Sequence, residues 1–394
     1  MTYRKYAQCY AADDVLTPLI LVSGAPSDST WRNWFAEDLE EADILWGDYT
    51  GALPDPDYRG DRMDEKAFDA QMAAEKDHVA EVRRVDGVSR LLVDGEIIAP
   101  SVFKARHRAM SVETDSRESF AGHPFDGSAL KLMVKNVRPE ESCGEDGSAI
   151  DVKRLAYEMK SAMRAAPNTC FVMAFSCYAP KDFIRKYHPE EAWLDEQGEP
   201  VMGLGGSCMI GYLGSTKEQF ARDAIPWPSP ASRAWRDWVC RAIRETVAEL
   251  KAQGLAKRIV GIHVNGYHDG QFSVPYVDTS ACAKAEYARM QAEPGCLSAD
   301  YAFCVKQMLF RAQEEFVREF KRAIGKPTIG VMWCESPLQG AKNASLDITS
   351  FVNSDAMDVV VCQPNYRERL PAFPTVSALP LDSLHLHGKM FWNE

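Results

Sequence analysis

The most closely spaced polar residues of this 394-residue chain follow an apolar, strand-like run that begins at Arg258. They are His263, Asn265, Asp269 and Gln271. Imidazole, amide and carboxylate groups all form hydrogen bonds, so their concentration at a strand end suits a polyhydroxy ligand better than it suits packing. An ordinary polar loop is the less favoured alternative, because the same pattern recurs at other predicted strand ends.

Three further apolar runs, which end near residues 334, 362 and 392, lead into similar groups. The residues concerned are Trp333, Glu335, Tyr366, Arg369, Trp392 and Glu394. Aromatic rings beside charged groups are typical of sugar sites. A ring offers a flat apolar face to the C–H side of the sugar, and the charged groups bind its hydroxyls. Both sets of residues are therefore candidate substrate contacts.

Four of these candidates also have a structural interpretation. A histidine within a strand, such as His263, is a core residue as often as it is a ligand. Trp333 and Trp392 are equally suited to filling a core and to stacking on a sugar. Glu335 would have little use in packing at a strand end, so a functional role is favoured, with helix capping as the alternative.

The segments that must position these residues alternate between strand and helix. The apolar, strand-length runs are Leu130–Val137, Cys170–Cys177, Arg258–Val264, Thr328–Cys334, Asp358–Cys362 and Lys389–Trp392. Segments with helical spacing lie between them, at Val152–Ala165, Ser232–Ala252, Ser298–Ile324 and Leu346–Asn353. This alternation predicts an α/β fold in which helices cover a parallel sheet. Upstream, Lys66–Val82 has weak helical spacing, and Asp94-Gly95 predicts a hairpin between Arg90 and Ile98.

At this point the chain resembles glycoside hydrolases of clan A that are similar to the family 42 β-galactosidases. The tract Gly261-Ile262-His263, the tract from Pro364 through Tyr366 to Arg369, and the strand Leu386–Glu394 look like barrel strands four, six and seven of that family. The resemblance covers about Arg90 to Glu394. It implies a (β/α)₈ TIM barrel over residues 89–394, incomplete after its seventh strand. The mixed aromatic and acidic composition upstream predicts a small N-terminal flanking domain over residues 1–88.

Members of that family are retaining glycosidases, which use two carboxyl groups about 5–5.5 Å apart. The resemblance makes Glu394 the nucleophile and places the acid/base at position 271, where this chain has glutamine. Gln271 cannot donate a proton as an acid does, because a carboxamide does not ionise near neutral pH. Three explanations remain open: a glutamate exchanged for its isosteric amide, a naturally degenerate site, or a different acid such as Asp269 or Glu335. The rival to a β-galactosidase-like enzyme is a non-catalytic glycan-binding protein on the same fold.

The charge of the chain limits its partners. A net charge of −12 argues against nucleic acid and anionic membranes. The longest apolar stretch near the N-terminus, residues 19–22, is far too short to cross a membrane. Asp13 and Asp14 stand where an export signal would need apolar residues. We therefore predict a cytoplasmic protein whose partner is an oligosaccharide or glycoside substrate. Assembly as a homo-oligomer, a trimer, is implied by the resemblance alone.

Cysteine and motif patterns give no support for a cofactor. The eleven cysteines are an odd number and include no CxxC pair, which favours reduced thiols. His385 and His387 alternate like a metal pair, but no third ligand is near in sequence, so solvent-facing strand positions are favoured for them. The sequence has neither a dinucleotide-binding nor a P-loop motif. We predict no metal and no organic cofactor.

Overall fold

The computed structural model describes residues 63–98, 103–104, 132–204, 208, 216–268, 270–273, 276–293, 298–333, 347–362 and 381–393. The first described helix, α1, spans Glu65–Ala74, and it is followed by three antiparallel strands: β1 (Ala80–Val85), β2 (Val88–Val93) and β3 (Glu96–Ile97).

Two Asp-Gly turns connect these three strands. Asp86 and Gly87 join β1 to β2 with φ values of 53° and 80°, and Asp94 and Gly95 join β2 to β3 with 53° and 84°. Positive φ at both central residues is what the tight hairpin turn requires, and Asp-Gly accommodates it. The hairpin predicted at Asp94-Gly95 is confirmed. The helix predicted over Lys66–Val82 was wrong beyond Ala74, because its last residues belong to β1.

Seven strands form one parallel sheet. In chain order they are β4 (Phe103–Lys104), β5 (Leu132–Val137), β6 (Cys170–Ser176), β9 (Ile259–Asn265), β10 (Ile329–Trp333), β11 (Val359–Cys362) and β12 (Met390–Asn393). Between β6 and β9, the short strands β7 (Met202–Gly203) and β8 (Ile225–Pro226) form a separate antiparallel pair. The order across the main sheet is β12-β11-β10-β9-β6-β5-β4. The predicted parallel sheet is confirmed, and each predicted strand agrees with an observed one to within two residues at either end.

The remaining helices of the described part are α2 (Val152–Ala165), α3 (Lys217–Asp223), α4 (Arg233–Ala252), α5 (Ala281–Ala292), α6 (Tyr301–Ile324), α7 (Ile348–Asn353) and α8 (Leu381–Leu386). Helix α4 begins where the Ser232 hydroxyl accepts a hydrogen bond from the backbone N–H of Trp235 at 3.1 Å. Gly254 and Gly325, which follow α4 and α6, have φ values of 73° and 72°, which glycine adopts without strain. All four predicted helices downstream of β5 are confirmed. None of the helices in the described ranges is long and apolar enough to cross a membrane.

The two C-terminal histidines lie in and beside α8 rather than in a strand. His385 Nδ1 accepts a hydrogen bond from the backbone N–H of Ser89 at 3.2 Å. His387 Nδ1 lies 2.7 Å from the carbonyl oxygen of Ser383. The prediction that both are strand residues was wrong, because the last strand begins only at Met390.

Side chains of the parallel sheet alternate between two apolar clusters. On one face Phe171, Met173 and Phe175 of β6 pack with residues of α2, α4 and α6. On the other face Val172 and its neighbours pack against the β1–β2 hairpin. The members of this second cluster are Ala80, Leu91, Val93, Leu132, Val134, Cys170, Val172, Ala174, Val260, Ile329, Val331, Val359, Met390 and Trp392. We call this second face the inner face.

Charged groups join the hairpin to the beginnings of the parallel strands. His78 Nδ1 lies 2.7 Å from Asp94 Oδ2, and His78 Nε2 lies 2.8 Å from Glu75 Oε1. Glu75 Oε2 accepts from Arg258 Nε at 2.7 Å, just before β9. The backbone N–H of Ala80 donates to the carbonyl of Pro327 at 3.2 Å, just before β10. The hairpin therefore covers the inner face near the N-terminal strand ends. The polar side chains of the inner face lie at the C-terminal strand ends.

Candidate functional site

A row of side chains crosses the inner face at the C-terminal ends of the strands. Ser176 is the register partner of Asn265, and Val361 is the partner of both Trp333 and Trp392. We call Ser176, Asn265, Trp333, Val361 and Trp392 the upper row. His263 lies one step lower on the same face, where it pairs with Ala174 and Val331. Three residues singled out from the sequence thus lie in one row, and a fourth lies directly below it.

The aromatic candidates are largely enclosed. His263 is 3% exposed, and its ring lies 6.0 Å from that of Trp333 at an angle of 47°. Trp392 is 7% exposed, packs in the inner-face cluster, and donates its indole N–H to Met390 Sδ at 3.2 Å. In the structure these rings pack against neighbouring side chains. Their contact with a sugar stays a prediction.

The chain after β9 folds back on the strand end. The backbone N–H of Phe272 donates to the carbonyl of Gly266 at 2.9 Å, and that of Gln271 donates to the carbonyl of His268 at 3.0 Å. A β-bridge pairs Gly266 with Gln271. Gln271 is consequently held beside the end of β9, with 5% of its surface exposed.

This return depends on two aromatic residues in an unfavourable backbone conformation. Tyr267 has φ 57° and Phe272 has φ 51°, a region that bulky side chains rarely adopt. Such a conformation persists only where the surroundings over-determine it. The Tyr267 ring meets the edges or faces of four other rings at centroid distances of 5.4–5.6 Å, namely those of Trp193, Trp227, Trp235 and Phe272.

Two hydroxyl groups fix the same loop. Tyr267 donates its own hydroxyl to the carbonyl of Pro228 at 2.9 Å. The hydroxyl of Tyr178, two residues after β6, donates to the carbonyl of Tyr267 at 2.5 Å. The loop is therefore tied to neighbouring segments on both sides.

Gly270 brings this loop against the upper row. It has φ 76°, and a Cβ at this position would lie 3.7 Å from both Asn265 Oδ1 and Trp333 Cε3. A side chain here would be strained by the positive φ, and its Cβ would be in van der Waals contact with both residues. Asn265, Trp333 and the segment that carries Gln271 therefore share one neighbourhood.

Glu140 is a carboxyl group at this end of the sheet that the sequence interpretation missed. It lies in the 3₁₀ turn Pro139–Glu141, which follows β5. Ser176 of the upper row donates its hydroxyl to Glu140 Oε1 at 2.5 Å. The residue as a whole is partly exposed, but its Oε2 atom is enclosed and accepts no hydrogen bond within the described part of the chain. The sequence did contain the pattern that identified the other candidates, because Glu140 is an acid that closely follows an apolar run.

Burial controls the ionisation of Glu140. Removal of the carboxyl from water raises its pKa to about 7, and the hydrogen bond from Ser176 opposes that rise. A carboxyl group that carries its proton near neutral pH is able to act as a general acid.

A second enclosed oxygen lies close by. Asn265 Oδ1 is buried and, among the described residues, has no hydrogen-bond donor. Asn265 and Glu140 flank Ser176, so two oxygens without donors lie at neighbouring strand ends. Buried polar atoms normally have partners, and an exception at a strand rim is satisfied when a ligand supplies the hydrogen bond. Hydroxyl groups are suitable donors.

Five of the predicted site residues lie outside the described residues. They are Asp269, Glu335, Tyr366, Arg369 and Glu394. Glu394 follows Asn393, the last residue of β12, which pairs with Cys362 of β11. The predicted pairing of position 271 with Glu394 in one pocket stays a prediction.

Sequence comparison finds no matching family model and no matching curated protein. Structure comparison finds similarity to a β-galactosidase from the psychrophilic Marinomonas ef1, with 10% identity and a TM-score of 0.44 over 67% of this chain and 40% of that enzyme. An endogalactoceramidase matches at 14% identity with a TM-score of 0.37 over 81% of this chain and 67% of that chain. A Thermotoga maritima β-glucosidase in complex with deoxynojirimycin matches at 9% identity with a TM-score of 0.31 over 59% of this chain and 50% of that chain.

The described chain thus spans about two fifths of the length of the Marinomonas enzyme. All three likenesses are weak, so the assignment of the site depends on this chain's own residues.

Proposed function

We propose that this protein is a retaining β-glycosidase that acts on galactose-like non-reducing ends. The observation that carries the proposal is the polar end of the inner face. There Ser176, Asn265 and the loop with Gln271 lie together above an apolar layer closed by the hairpin, and two enclosed oxygens, Asn265 Oδ1 and Glu140 Oε2, make no hydrogen bond within the described residues. In parallel sheets of this kind, ligand sites form at the C-terminal strand ends. A polyhydroxy substrate would supply hydrogen-bonding partners to both groups.

The reaction would proceed through a covalent intermediate. Glu394 attacks the anomeric carbon as the glycosidic C–O bond breaks, and the leaving oxygen receives a proton. A water molecule then attacks the anomeric carbon, and the bond to Glu394 breaks with retention of configuration. Asn265 would accept a hydrogen bond from a sugar hydroxyl, and Gln271 can form hydrogen bonds but cannot supply the proton. The mechanism needs no metal and no organic cofactor.

A non-catalytic glycan-binding protein is the second candidate. The specific observation that favours it is the amide at position 271, where the resemblance places an acid. The two candidates share the binding surface and differ in whether Glu394 forms a bond to the sugar. Cytoplasmic location and assembly as a trimer are part of the same proposal, and they rest on composition and on the resemblance respectively.

Hydrolysis of activated aryl glycosides separates the candidates. A nitrophenyl β-galactoside needs little protonation of its leaving group, so turnover tests the nucleophile without depending on the acid. We expect release of nitrophenol from the β-galactoside, a first-formed β-galactose signal by NMR, and loss of both in Glu394→Gln. The α-anomer is the matched control and should not be cleaved. Saturable binding of galactosides without turnover would favour the glycan-binding protein, and absence of both would refute the assignment.

A further inference from the structure

We propose that Glu140 is the proton donor of this site and fills the role that the amide of Gln271 cannot. This inference rests on the proposed glycosidase function and deepens it. It concerns a residue outside the set selected from the sequence.

The position of Glu140 is fixed by the upper row. Its Oε1 atom accepts the hydrogen bond from Ser176, and Ser176 pairs in register with Asn265 on the adjacent strand. Neighbouring strands lie about 4.8 Å apart, and Gly270 lies against Asn265. Glu140 and the loop that carries Gln271 therefore contact adjacent residues of the upper row.

The strand order is compatible with an acid at Glu140 instead of at position 271. Counted across the sheet from β4, β5 is the second strand, β9 the fourth and β12 the seventh. In an eight-stranded barrel, the second and the fourth strand are each three positions from the seventh. In the closed barrel that the resemblance implies, a carboxyl after β5 would face a nucleophile after β12 as well as a residue after β9 would.

The surroundings of Glu140 favour the protonated form. The charge of Arg138 lowers the pKa of Glu140, but Arg138 is 2.8 Å from Glu141 and is paired with that residue. Glu141, Cys143 and Cys177 also interact with Glu140, and none of them supplies a positive charge. The enclosed Oε2 atom would bear charge without a compensating hydrogen bond, which is costly. A proton on Oε2 removes that cost and provides a donor for an incoming sugar oxygen.

The proton balance of the reaction is complete with this residue. In the first step the Oε2 proton moves to the glycosidic oxygen, which takes the electron pair of the breaking C–O bond while Glu394 bonds to the anomeric carbon. In the second step the Glu140 carboxylate takes a proton from water, whose oxygen bonds to the anomeric carbon as the bond to Glu394 breaks. Both carboxyl groups return to their starting forms.

The test compares Glu140→Gln with its neighbour Glu141→Gln on two substrates, a β-linked galactose disaccharide and a nitrophenyl β-galactoside. Glu140→Gln should lower kcat/KM for the disaccharide by about 10² to 10⁴, the usual contribution of general acid catalysis, and lower it much less for the aryl substrate. At a pH well below 7, where Glu140 keeps its proton in both proteins, Glu141→Gln should leave both substrates within about twofold, because Glu141 is an exposed partner of Arg138.

The pH profile provides a second readout. Activity on the disaccharide should fall as the pH rises through about 7, as Glu140 loses its proton. Ser176→Ala removes a hydrogen bond that lowers the pKa of Glu140, so it should move this alkaline limb to higher pH. A merely structural role for Ser176 would not move the limb. If Glu140→Gln does not fold, as judged by circular dichroism, the Ser176→Ala profile decides the question.

An unchanged disaccharide rate and an unchanged alkaline limb in folded Glu140→Gln would overturn the inference while leaving the glycosidase proposal intact, provided that nitrophenol release still depends on Glu394. An unmoved limb in Ser176→Ala would also count against Glu140. If the wild-type protein cleaves no aryl glycoside, both proposals fail together.

Discussion

At the scale of the residue, the environment of a carboxyl group decides its chemistry. Glu140 and Glu141 are consecutive in the sequence. Glu141 is 49% exposed and paired with Arg138, whereas Glu140 has an enclosed oxygen and a pKa raised to about 7 by burial. The environment of Glu140 keeps a proton available near neutral pH. The raised pKa arises from burial of the carboxyl group, and the hydrogen bond from Ser176 opposes it.

Substitution at position 271 tests how the acid role is divided. If Glu140 is already the donor, a second acid adds little, so Gln271→Glu alone should raise the rate of disaccharide hydrolysis less than tenfold. A missing acid that is restored usually contributes at least about 10². In the Glu140→Gln background the same substitution should restore about 10² to 10⁴, because an acid then occupies the position that the resemblance indicates. Initial rates on the disaccharide measure both effects. A gain of about 10² or more from Gln271→Glu alone would return the acid role to position 271.

At the scale of the element, the loop after β9 holds its shape through contacts with several other segments. Tyr178→Phe removes the hydroxyl that bonds to the carbonyl of Tyr267 and keeps the ring. We expect the free energy of unfolding to fall by about 1 kcal/mol, the typical net value of one hydrogen bond, and galactoside affinity to weaken as the loop loosens. Tyr157→Phe is the control, because Tyr157 is 66% exposed on α2. Urea unfolding and titration calorimetry measure the two effects, and equal behaviour of both variants would refute the role of Tyr178.

The hairpin attachment should depend on pH. Hydrogen bonding to Cys170, together with the carboxylates of Glu75 and Asp94, raises the pKa of His78 to about 9 against the opposing effect of burial. Since the folded pKa lies above the ordinary value of 6.5, this stabilisation is complete below about pH 6.5 and is lost as the pH rises through 9.

Urea unfolding between pH 6 and pH 10 measures this loss. We expect the free energy of unfolding of the wild-type protein to decrease, on the order of 2 kcal/mol, across the window from 6.5 to 9. His78→Gln cannot titrate and should show a flatter profile over the same window. Parallel profiles for the two proteins would exclude His78 as the titrating group.

The strands of the parallel sheet were predictable from sequence, whereas the three-stranded hairpin region was predictable only in part. Each parallel strand is buried on both faces, so it appears as a continuous apolar run. Strand β1 mixes Val82 with exposed Glu81 and Arg83, so it has no continuous apolar run. Its first residues also fitted the weak helical spacing upstream, and the predicted helix was therefore too long. Asp86-Gly87 was the overlooked indication of a turn.

The positions of the candidate residues were predictable where they end a strand. Asn265 and Trp333 lie at the ends of their predicted strands, and their role in binding stays a prediction. Glu140 could not be ranked from sequence, because its burial and its hydrogen bond to Ser176 depend on strand register, which cannot be read from one sequence. The left-handed conformations of Tyr267 and Phe272 likewise depend on aromatic packing from residues 193 to 235.

At the scale of the whole molecule, the two ends of the described sheet differ in what covers them. The hairpin and its charged attachments close the N-terminal strand ends, and the C-terminal ends carry Ser176, Asn265 and the returning loop. In such folds ligands bind at the C-terminal strand ends, and residues at the N-terminal ends serve stability. We therefore propose that a glycosyl group becomes bonded to Glu394 at the C-terminal end.

Trapping of that bond is the most direct test. A 2-deoxy-2-fluoro-β-galactoside with a dinitrophenyl leaving group slows both steps but allows the first without an acid, so the glycosyl-enzyme should accumulate. Mass spectrometry of the intact protein and of its peptides measures the adduct. We expect one 2-fluorogalactosyl group per chain, located on Glu394 and absent from Glu394→Gln. Stoichiometric labelling of another residue, or no adduct in a protein that cleaves the parent aryl galactoside, would contradict it.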